Sequence, residues 1–267
     1  MCLIALAWRM HPRYRLVLAA NRDEYHARPT LPLDAWRDDP HVIGGRDALH
    51  GGGWLALRGR RLAAVTNVRR PGDSEGLTRG ALVAAFVQGN EAADAMAPLA
   101  SQAMEYRPFN LLTCDGETLA FATNRAADER GGVRFAMRPL APGMHGVSNG
   151  GLDAPWPKTA ALMARLDTWR VTPAALSETA DLSTLFDALA DPVIAPDDAL
   201  PDTGVGLALE RFLSPAFIRS AQYGTRASTV ALIADDHARI VERRFGPEGA
   251  FLGETDLHVA IDITDTR

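Results

Sequence analysis

The opening of the chain alternates apolar runs with a turn signal. Residues 2–8 (CLIALAW) and 15–21 (RLVLAAN) are apolar runs of strand length, and Pro12 lies in the segment between them. Short apolar runs bounded by turn residues are typical of β-strands, and proline favours a turn. The pattern therefore predicts a β-hairpin at the start of the sequence.

Later parts of the chain repeat this pattern, with Gly or Asp between two apolar runs. Such hairpins are predicted at 54–68 with Gly59 in the turn, at 109–125 with Asp115 and Gly116, and at 226–246 with Asp235 and Asp236. Asp-Gly is a strong hairpin-turn signal because both residues tolerate the backbone conformation that a tight turn needs. Residues 257–263 (LHVAIDI) are predicted to add a closing strand.

Helical periodicity is predicted in the stretches between these hairpins. The predicted helices lie in 78–100, which breaks into two at Gly89 and Asn90, in 154–169, and in 181–191. The second stretch has prolines near its start, where a helix tolerates them, and Asp181 or Ser183 is placed to cap the third. The proline-rich residues 191–206 are predicted to form a long loop.

Hairpins, then helices, then hairpins again indicate antiparallel sheet with helices on its outer faces, which is the α+β class. The chain has 267 residues, of which 47% are hydrophobic and 23% charged, the composition of a soluble globular protein. We expect one domain over residues 1–267. No boundary between domains is indicated, since the loop at 191–206 connects elements within the same pattern.

Charge and residue counts exclude several classes of function. The net charge of -5 argues against a nucleic-acid partner, because Lys and Arg supply most affinity for phosphates. No apolar stretch reaches the roughly 18 to 20 residues of a membrane-spanning helix, and no secretory signal is visible, so we expect a cytoplasmic protein. Two cysteines are too few for a disulfide framework, and the seven histidines lack metal-ligand spacing, so no metal is expected.

The first hairpin brings polar residues toward the amino terminus. If its turn centres near His11, paired positions sum to about 22 and Cys2 lies opposite Ala20. Neighbouring strands are about 4.8 Å apart, so Asn21, Arg22 and Asp23 fall within side-chain reach of Cys2. The sequence therefore predicts one polar site at this end of the hairpin.

Cys2 is a candidate nucleophile if Met1 is removed, since it then carries a free α-amine. The reference pKa of an α-amine is slightly below that of a thiol, so the amine can take the thiol proton near neutral pH. Asp23 and Asn21 have the residue types that would hold such a terminus. The alternatives are that Cys2 is a small apolar residue starting a buried strand, or that Met1 is retained, and that residues 21–24 are a polar strand end that caps a turn.

A tetrahedral intermediate also needs hydrogen-bond donors for its oxyanion. Asn67 ends the strand of the second hairpin, and Asn149 lies in a segment whose glycines allow close approach of backbone to a ligand. Both side chains are candidates for this role. Cys114, in an apolar strand, is expected to pack in the core.

These motifs together resemble a known family. They are MC at the start, NRDE at 21–24, GGGWLAL at 51–57, AVTN at 64–67, GVSNG at 146–150 and YGTRASTV at 223–230. In this order they are similar to the NRDE family, also called the Transport and Golgi organisation protein 2 family, over essentially the whole chain. The resemblance implies an N-terminal nucleophile (Ntn) hydrolase fold, a four-layer αββα sandwich of two antiparallel sheets flanked by helices.

More distantly, the pattern is similar to cysteine-type Ntn amidases such as penicillin V acylase and conjugated bile salt hydrolase. That resemblance implies a hydrolase of non-peptide linear amides, with a small-molecule substrate and no cofactor. Cys2 would be the nucleophile, Asp23 would hold its amine, Asn67 and Asn149 would serve the oxyanion hole, and Arg211 would support the thiolate.

The arginine of the NRDE segment departs from the amidase pattern. The amidases have the order Arg-Asn-x-Asp, whereas Ala20 precedes Asn21 here and the arginine is Arg22. Because neighbouring side chains of a strand point to opposite faces, we expect Arg22 to point away from the Cys2 thiol.

This departure leaves a second hypothesis, based on the association of the NRDE family with haem trafficking. The protein would then be a non-catalytic carrier of haem or another amphipathic metabolite, with His26, His50 and His145 to be tested as haem ligands. A third hypothesis, an interaction protein without a small ligand, is less favoured because the polar motifs converge on one predicted cleft.

Overall fold

The computed structural model describes residues 2–72, 75–89, 99–127 and 132–261. Its β-strands are β1 (Cys2–Trp8), β2 (Leu16–Tyr25), β3 (Thr30–Trp36), β4 (Asp39–Asp47), β5 (Gly53–Arg58), β6 (Arg61–Asn67), β7 (Phe109–Cys114), β8 (Leu119–Ala127), β9 (Val133–Pro139), β10 (Gly143–Val147), β11 (Tyr223–Ile233), β12 (His237–Phe245) and β13 (Phe251–Ala260). Its α-helices are α1 (Gly80–Gln88), α2 (Leu99–Gln102), α3 (Pro157–Trp169), α4 (Pro173–Leu176), α5 (Ser183–Leu189) and α6 (Leu207–Phe212).

Contacts within the chain divide it into two compact units. The first unit is residues 1–27 together with 142–267, and the second is residues 28–141. Each unit contains one large antiparallel sheet and flanking helices, so the α+β class with two antiparallel sheets is confirmed. The single domain over 1–267 stays a prediction.

The first unit has the strand order β10–β1–β2–β11–β12–β13. Alternate residues of its central strands point to the same face of the sheet, and on one face they pack against α3 and α5. From β1 this face carries Leu3, Ala5 and Ala7, all completely buried. Full burial of a leucine side chain contributes about 1.5–3 kcal/mol to stability. Packing against this apolar face therefore holds α3 and α5 on the sheet.

Helix α3 begins with Pro157, whose fixed φ suits the first helical position. Leu162, Leu166 and Trp169 recur at helical spacing and are buried against the sheet. The indole Nε1 of Trp169 donates to the Asp181 carbonyl at 2.8 Å, which ties the end of α3 to the segment before α5. The helix therefore packs along β1 and β10, the strands that contribute to the site described below.

The second unit has the strand order β3–β4–β5–β6–β7–β8–β9. Helix α1 buries Leu82, Val83, Phe86 and Val87 against this sheet, at the spacing of one helix face. Cys114 is buried in β7, as expected for core packing, and its Sγ accepts from the Gly116 amide at 3.4 Å.

The predicted hairpins are confirmed, and β2 continues four residues beyond the predicted run, through the whole NRDE segment. Gly59 and Gly116 have positive φ in their turns, the conformation that glycine adopts without strain. The predicted helices at 154–169 and 181–191 are also confirmed, within a few residues. The second half of the predicted helical stretch 78–100 falls largely on residues 90–98, and the predicted closing strand ends at residues 262–263. Both of these segments lie outside the described residues.

Strands β3, β4, β9 and β10 were not predicted from the sequence. In β3, β4 and β9 most residues are exposed or partly buried, and each of these strands contains a proline. Apolar alternation is therefore weak in these strands. Their extended conformation depends on pairing with a neighbouring strand, so it cannot be predicted from the local sequence.

Candidate functional site

The pairing of β1 with β2 sets the neighbours of Cys2. The Cα atom of Cys2 lies opposite that of Arg22, and Leu3 lies opposite Asn21, so paired positions sum to 24. The expectation that Cys2 lies opposite Ala20 is wrong by two residues. Its cause is the turn, which closes with a hydrogen bond of 2.7 Å from the Arg9 amide to the Arg15 carbonyl and therefore centres one residue later than assumed.

This register corrects the expectation for Arg22. Directly opposite residues of an antiparallel pair point to the same face, with Cβ atoms about 4.5–5.5 Å apart. Cys2 and Arg22 therefore share the face turned away from α3 and α5, and both are 7% exposed. Arg22 does not point away from the face of Cys2.

Asn21 points to the other face of β2, toward the helices. Its Nδ2 donates to the carbonyls of Leu189 at 2.8 Å and Ala216 at 2.7 Å. Its Oδ1 accepts from the hydroxyl of Ser228 at 2.6 Å. Both amide hydrogens of this completely buried side chain are used in these contacts. Asn21 thus links β2 to the last residue of α5, to the backbone at Ala216 and to the neighbouring strand β11.

Asp23 is buried, and its Oδ1 accepts from the Thr225 hydroxyl at 2.7 Å. The same Thr225 oxygen accepts from the Ile218 amide at 3.0 Å. In this antiparallel pair, each step toward the amino end of β1 corresponds to one step toward the carboxyl end of β2, from Arg22 to Asp23. The amino end of Cys2 is therefore directed toward the strand position that Asp23 occupies.

On the other side of β1, strand β10 brings a second polar pair to Cys2. The pairing of Ile4 with Val147 leads directly into Ser148 and Asn149, which are both buried. The Ser148 hydroxyl donates to the Cys2 carbonyl at 2.9 Å, and the same oxygen lies 3.4 Å from Asn149 Oδ1. The structure therefore brings Ser148 into contact with Cys2, and Asn149 is the next residue in the chain, whose catalytic role stays a prediction.

The loop that carries Ser148 and Asn149 is held by Asp153. Its Oδ1 accepts from the Gly146 amide at 2.7 Å, and its own amide donates to the Gly146 carbonyl at 2.7 Å. Oδ2 lies 3.0 Å from His145 Nδ1. The non-glycine φ of +57° at Asp153 belongs to this tight loop. Asp153 was not predicted as part of the site, although it lies in the same sequence stretch, GVSNGGLD, that contains Asn149.

Two further sequence-derived candidates have different surroundings. Asn67 belongs to the second unit, where it ends β6 opposite Phe109. Arg211 lies in α6 at an exposed position, and its guanidinium forms a two-point ion pair with Asp197, with Nε 2.6 Å from Oδ1. The hydrogen bond from Arg211 holds the pKa of Asp197 below its usual value. The catalytic roles of Asn67 and Arg211 stay predictions.

Charged side chains continue the polar face beyond Arg22. Arg22 lies 3.9 Å from Glu24, measured from its terminal nitrogen to the carboxylate oxygen. Strand β11 has a register shift between Thr225 and Ala227, which leaves Arg226 as the extra residue beside Arg22. Arg226 donates to the Tyr25 carbonyl at 2.9 Å. Sequence alternation could have placed Arg22 on the face of Cys2, but the irregularity that adds Arg226 has no signal in the sequence.

The histidines considered as haem ligands lie in separate local contacts. His145 pairs with Asp153, His50 Nδ1 lies 3.3 Å from Asp47, and the His26 ring lies beside Gly224. Among the residues that the structure describes, no group of three or more His, Cys, Asp or Glu side chains is placed to hold a metal ion. Within the same ranges, no helix has the length and apolar character needed to cross a membrane.

Comparison with known proteins gives consistent matches along the chain. A family model described as Transport and Golgi organisation 2 matches residues 1–247. The Transport and Golgi organization protein 2 homolog of Homo sapiens is 32% identical over 265 residues, which cover 91% of this chain and 92% of that protein. The Bos taurus homolog is 31% identical over 281 residues, covering 97% and 98%. The Drosophila melanogaster protein of the same name is 37% identical over 100 residues, covering 33% and 35%.

Proposed function

The chain belongs to the Transport and Golgi organisation 2 family, and on that premise we propose that it is an N-terminal nucleophile hydrolase of linear amides, with Cys2 as the nucleophile. The observation that carries the proposal is the register of β1 and β2, which sets Cys2 opposite Arg22. A guanidinium next to a cysteine favours the thiolate, which is the nucleophilic form. Ser148 and Asn149 approach the same residue from β10.

Before any turnover, hydrolysis of the peptide bond between Met1 and Cys2 removes Met1 and leaves the α-amine of Cys2 as the base for its own thiol. The amine takes the thiol proton as Sγ attacks the amide carbonyl carbon, and the carbonyl π electrons move to oxygen. Asp23 supports this step as the carboxylate toward which the amino end of Cys2 is directed. Asp23 would hold the ammonium form of the terminus, because a buried carboxylate stabilises a nearby positive charge.

The tetrahedral intermediate then collapses to products in two stages. The C–N bond breaks as the ammonium returns its proton to the leaving amine, and a thioester to Cys2 remains. Water adds to the thioester, the C–S bond breaks, and the acid is released with the thiol restored. The Asn149 amide is the proposed donor to the oxyanion.

The carrier hypothesis loses its structural argument in this account. It was based on the association of the NRDE family with haem trafficking together with the displaced arginine, and the second of these arguments is removed because Arg22 lies opposite Cys2 on the same face. A haem carrier on this fold would bind haem without a nucleophile. Haem titration followed by the Soret band distinguishes the two, because the hydrolase hypothesis predicts no change in the haem spectrum that depends on His26, His50 or His145.

Amide hydrolysis on a panel of linear N-acyl compounds tests the proposal. We expect release of the amine by the wild type, and loss of at least about a thousandfold in rate for Cys2→Ala, because the nucleophile is removed. Cys114→Ala is the matched control, since this second cysteine is buried in β7 of the other unit. Equal rates in Cys2→Ala and wild type, or no turnover of any amide, would contradict the proposal.

A further inference from the structure

Strand β13 forms one edge of the sheet in the first unit. The strand order of this sheet ends with β13, and β12 is the element that β13 mainly packs against. Within the described ranges, no strand pairs with the outer side of β13. An edge of this kind presents backbone N–H and C=O groups that a further strand can bind. The strand has 10 residues and contains neither proline nor lysine, which are residues that protect many natural edges from such pairing.

The hydrogen bonds between β12 and β13 determine which backbone groups of β13 face outward. The Ile261 amide donates to the Asp236 carbonyl at 2.8 Å. These two residues are directly opposite, because they continue the register of β12 and β13. In an antiparallel pair, hydrogen-bonded residues alternate with residues whose N–H and C=O groups point to the other side. The backbone groups that point outward therefore belong to the even-numbered residues, Glu254, Asp256, His258 and Ala260.

The outward residues of β13 carry exposed, ionisable side chains. Glu254, Asp256 and His258 are all exposed. On the side of β12, the Arg239 guanidinium donates to the Asp256 carboxylate at 2.8 and 3.0 Å. Arg243 Nε donates to the Glu254 carboxylate at 2.6 Å. The outward row therefore has two carboxylates, each with a basic neighbour on β12, and a histidine two positions beyond the second carboxylate.

This backbone pattern restricts how β13 can pair with β13 of a second copy. About a two-fold axis, outward-facing residues must lie opposite each other, so paired positions sum to an even number and one residue meets its own copy. An axis at Thr255 would set Glu254 opposite Asp256, and an axis at Asp256 would set two copies of that carboxylate together. Like charges directly opposite each other destabilise a strand pair. An axis at His258 would set two histidines together and leave Asp256 opposite an alanine.

An axis at Leu257 avoids all of these contacts. Asp256 then lies opposite His258 of the second copy, and Glu254 lies opposite the neutral Ala260. Histidine has an N–H donor for a carboxylate in either protonation state. Leu257 lies opposite its own copy, and leucine is apolar. The charges of the outward row are thus complementary to those of the same row in a second copy.

We propose that the protein forms a dimer in which β13 pairs antiparallel with β13 of a second copy, about a two-fold axis at Leu257. The two six-stranded sheets then join into one continuous sheet. Cys2 lies in β1, which three strands separate from β13. The inference is therefore independent of the proposed hydrolase activity.

A cysteine at the axis tests the dimer and its register together. Directly opposite residues have Cβ atoms about 4.5–5.5 Å apart, and they are closer in pairs without backbone hydrogen bonds, as at Leu257. We expect Leu257→Cys to form a disulfide-linked dimer with oxidised glutathione, measured by intact-protein mass spectrometry. Asp256→Cys is the matched control, because its two copies are offset by two residues and lie too far apart for a disulfide. The native cysteines are both buried.

Sedimentation equilibrium of the wild type measures the dimer without a cross-link. A contact between two strands is small, which is typical of weak complexes, so chain concentrations run from about 1 µM to about 1 mM. His258→Asp would set carboxylates opposite each other and should raise the dissociation constant at least about tenfold. Within the chain the new carboxylate lies opposite Arg239, so the substitution does not weaken the fold. His41→Asp, at an exposed histidine of β4, is the control and should leave the dissociation constant unchanged.

A monomer at every concentration, or equal dissociation constants for His258→Asp and the wild type, would overturn the proposal. Faster disulfide formation in Asp256→Cys than in Leu257→Cys would overturn it as well, because the axis would then lie at another residue. A chain that ends at Ile261 is measured in parallel. If only this shortened chain forms the dimer, residues 262–267 occupy the edge in the full chain, and the proposed second copy does not.

Discussion

The hydroxyl of Ser148 donates a hydrogen bond of 2.9 Å to the carbonyl of Cys2, joining the segment after β10 to the first residue of β1. Both residues are buried, so the Cys2 carbonyl has exchanged water for this contact. The contact fixes the backbone of the proposed nucleophile from the side opposite to β2. Asn149 directly follows Ser148 in the chain, so the same contact also restrains the position of Asn149.

Replacing Ser148 by alanine should therefore weaken both the fold and the site. We expect Ser148→Ala to lower the free energy of unfolding by about 1–3 kcal/mol, because a buried carbonyl loses its donor. Urea unfolding measures this change. Ser177→Ala is the control, since its hydroxyl also donates to a backbone carbonyl, that of Ala174, but at an exposed position. Equal losses in the two variants would contradict the role given to the Ser148 contact.

Asn21 is expected to behave as a structural residue. Asn21→Ala removes the donors of two carbonyls and the acceptor of the Ser228 hydroxyl, so we expect a loss of about 3 kcal/mol or more in the free energy of unfolding. Ser228→Ala removes only one of these contacts and should cost about 1 kcal/mol. Both values come from denaturant unfolding. A smaller loss for Asn21→Ala than for Ser228→Ala would contradict this assignment.

The contrast between Asn21 and Cys2 indicates what the sequence could predict. Apolar runs around Pro12 predicted the β1–β2 hairpin, and the glycine-rich segment around Asn149 made that residue a candidate oxyanion donor, which stays a prediction. The partners of Asn21 could not be predicted, because Leu189 and Ala216 are 168 and 195 residues away in the chain. Long-range contacts of this kind depend on how helices pack on the sheet, which local patterns do not encode.

The register of the β1–β2 pair is the second feature that the sequence did not predict correctly. The pattern of apolar residues correctly predicted the two strands, but it does not determine the length of the turn between them. The partner predicted for Cys2 was therefore wrong by two residues. Because the error is even, Arg22 and Cys2 were on one face in either register, so alternation across the hairpin was sufficient to find their relationship. The register shift at Arg226 has no such signal, since a bulge is a property of the paired strands.

Gly146 should not tolerate a side chain. A Cβ atom there would lie 2.5 Å from Met163 Sδ and 2.6 Å from Thr159 Cγ2, both on α3. We expect Gly146→Ala to destabilise the protein by about 1–3 kcal/mol through overpacking. Gly151→Ala, where a Cβ would meet nothing within 4 Å, is the control and should change the melting temperature little. Met163→Ala added to Gly146→Ala should restore part of the loss, and a further loss would contradict the overpacking explanation.

His11 makes the stability of the first hairpin dependent on pH. Its Nδ1 accepts from the amides of Arg13 at 3.1 Å and Tyr14 at 3.3 Å, which requires the unprotonated atom. Burial lowers the pKa of His11 below its usual 6.5. As pH falls below about 6.5, the unfolded chain therefore binds a proton that the folded chain does not, and stability decreases.

Urea unfolding between pH 7.5 and about 5.5 measures this dependence, over the range in which an unfolded histidine titrates. We expect a smaller decrease for His11→Gln than for the wild type. His41→Gln is the control, because His41 is exposed, and it should retain the wild-type slope. Burial also lowers the pKa of His26, which contributes in the same direction and remains present in both variants. Identical slopes for His11→Gln and wild type would contradict the account of the turn.

The central claim is that Cys2 is an N-terminal nucleophile, and intact-protein mass spectrometry tests it most directly. The purified protein is measured before and after a short incubation with a linear N-acyl amide, followed by acid quenching. We expect a mass lower than that of the full sequence by one methionine residue, then an added acyl group on the amino-terminal peptide that is missing in Cys2→Ala. Retention of Met1 in the purified protein would contradict it.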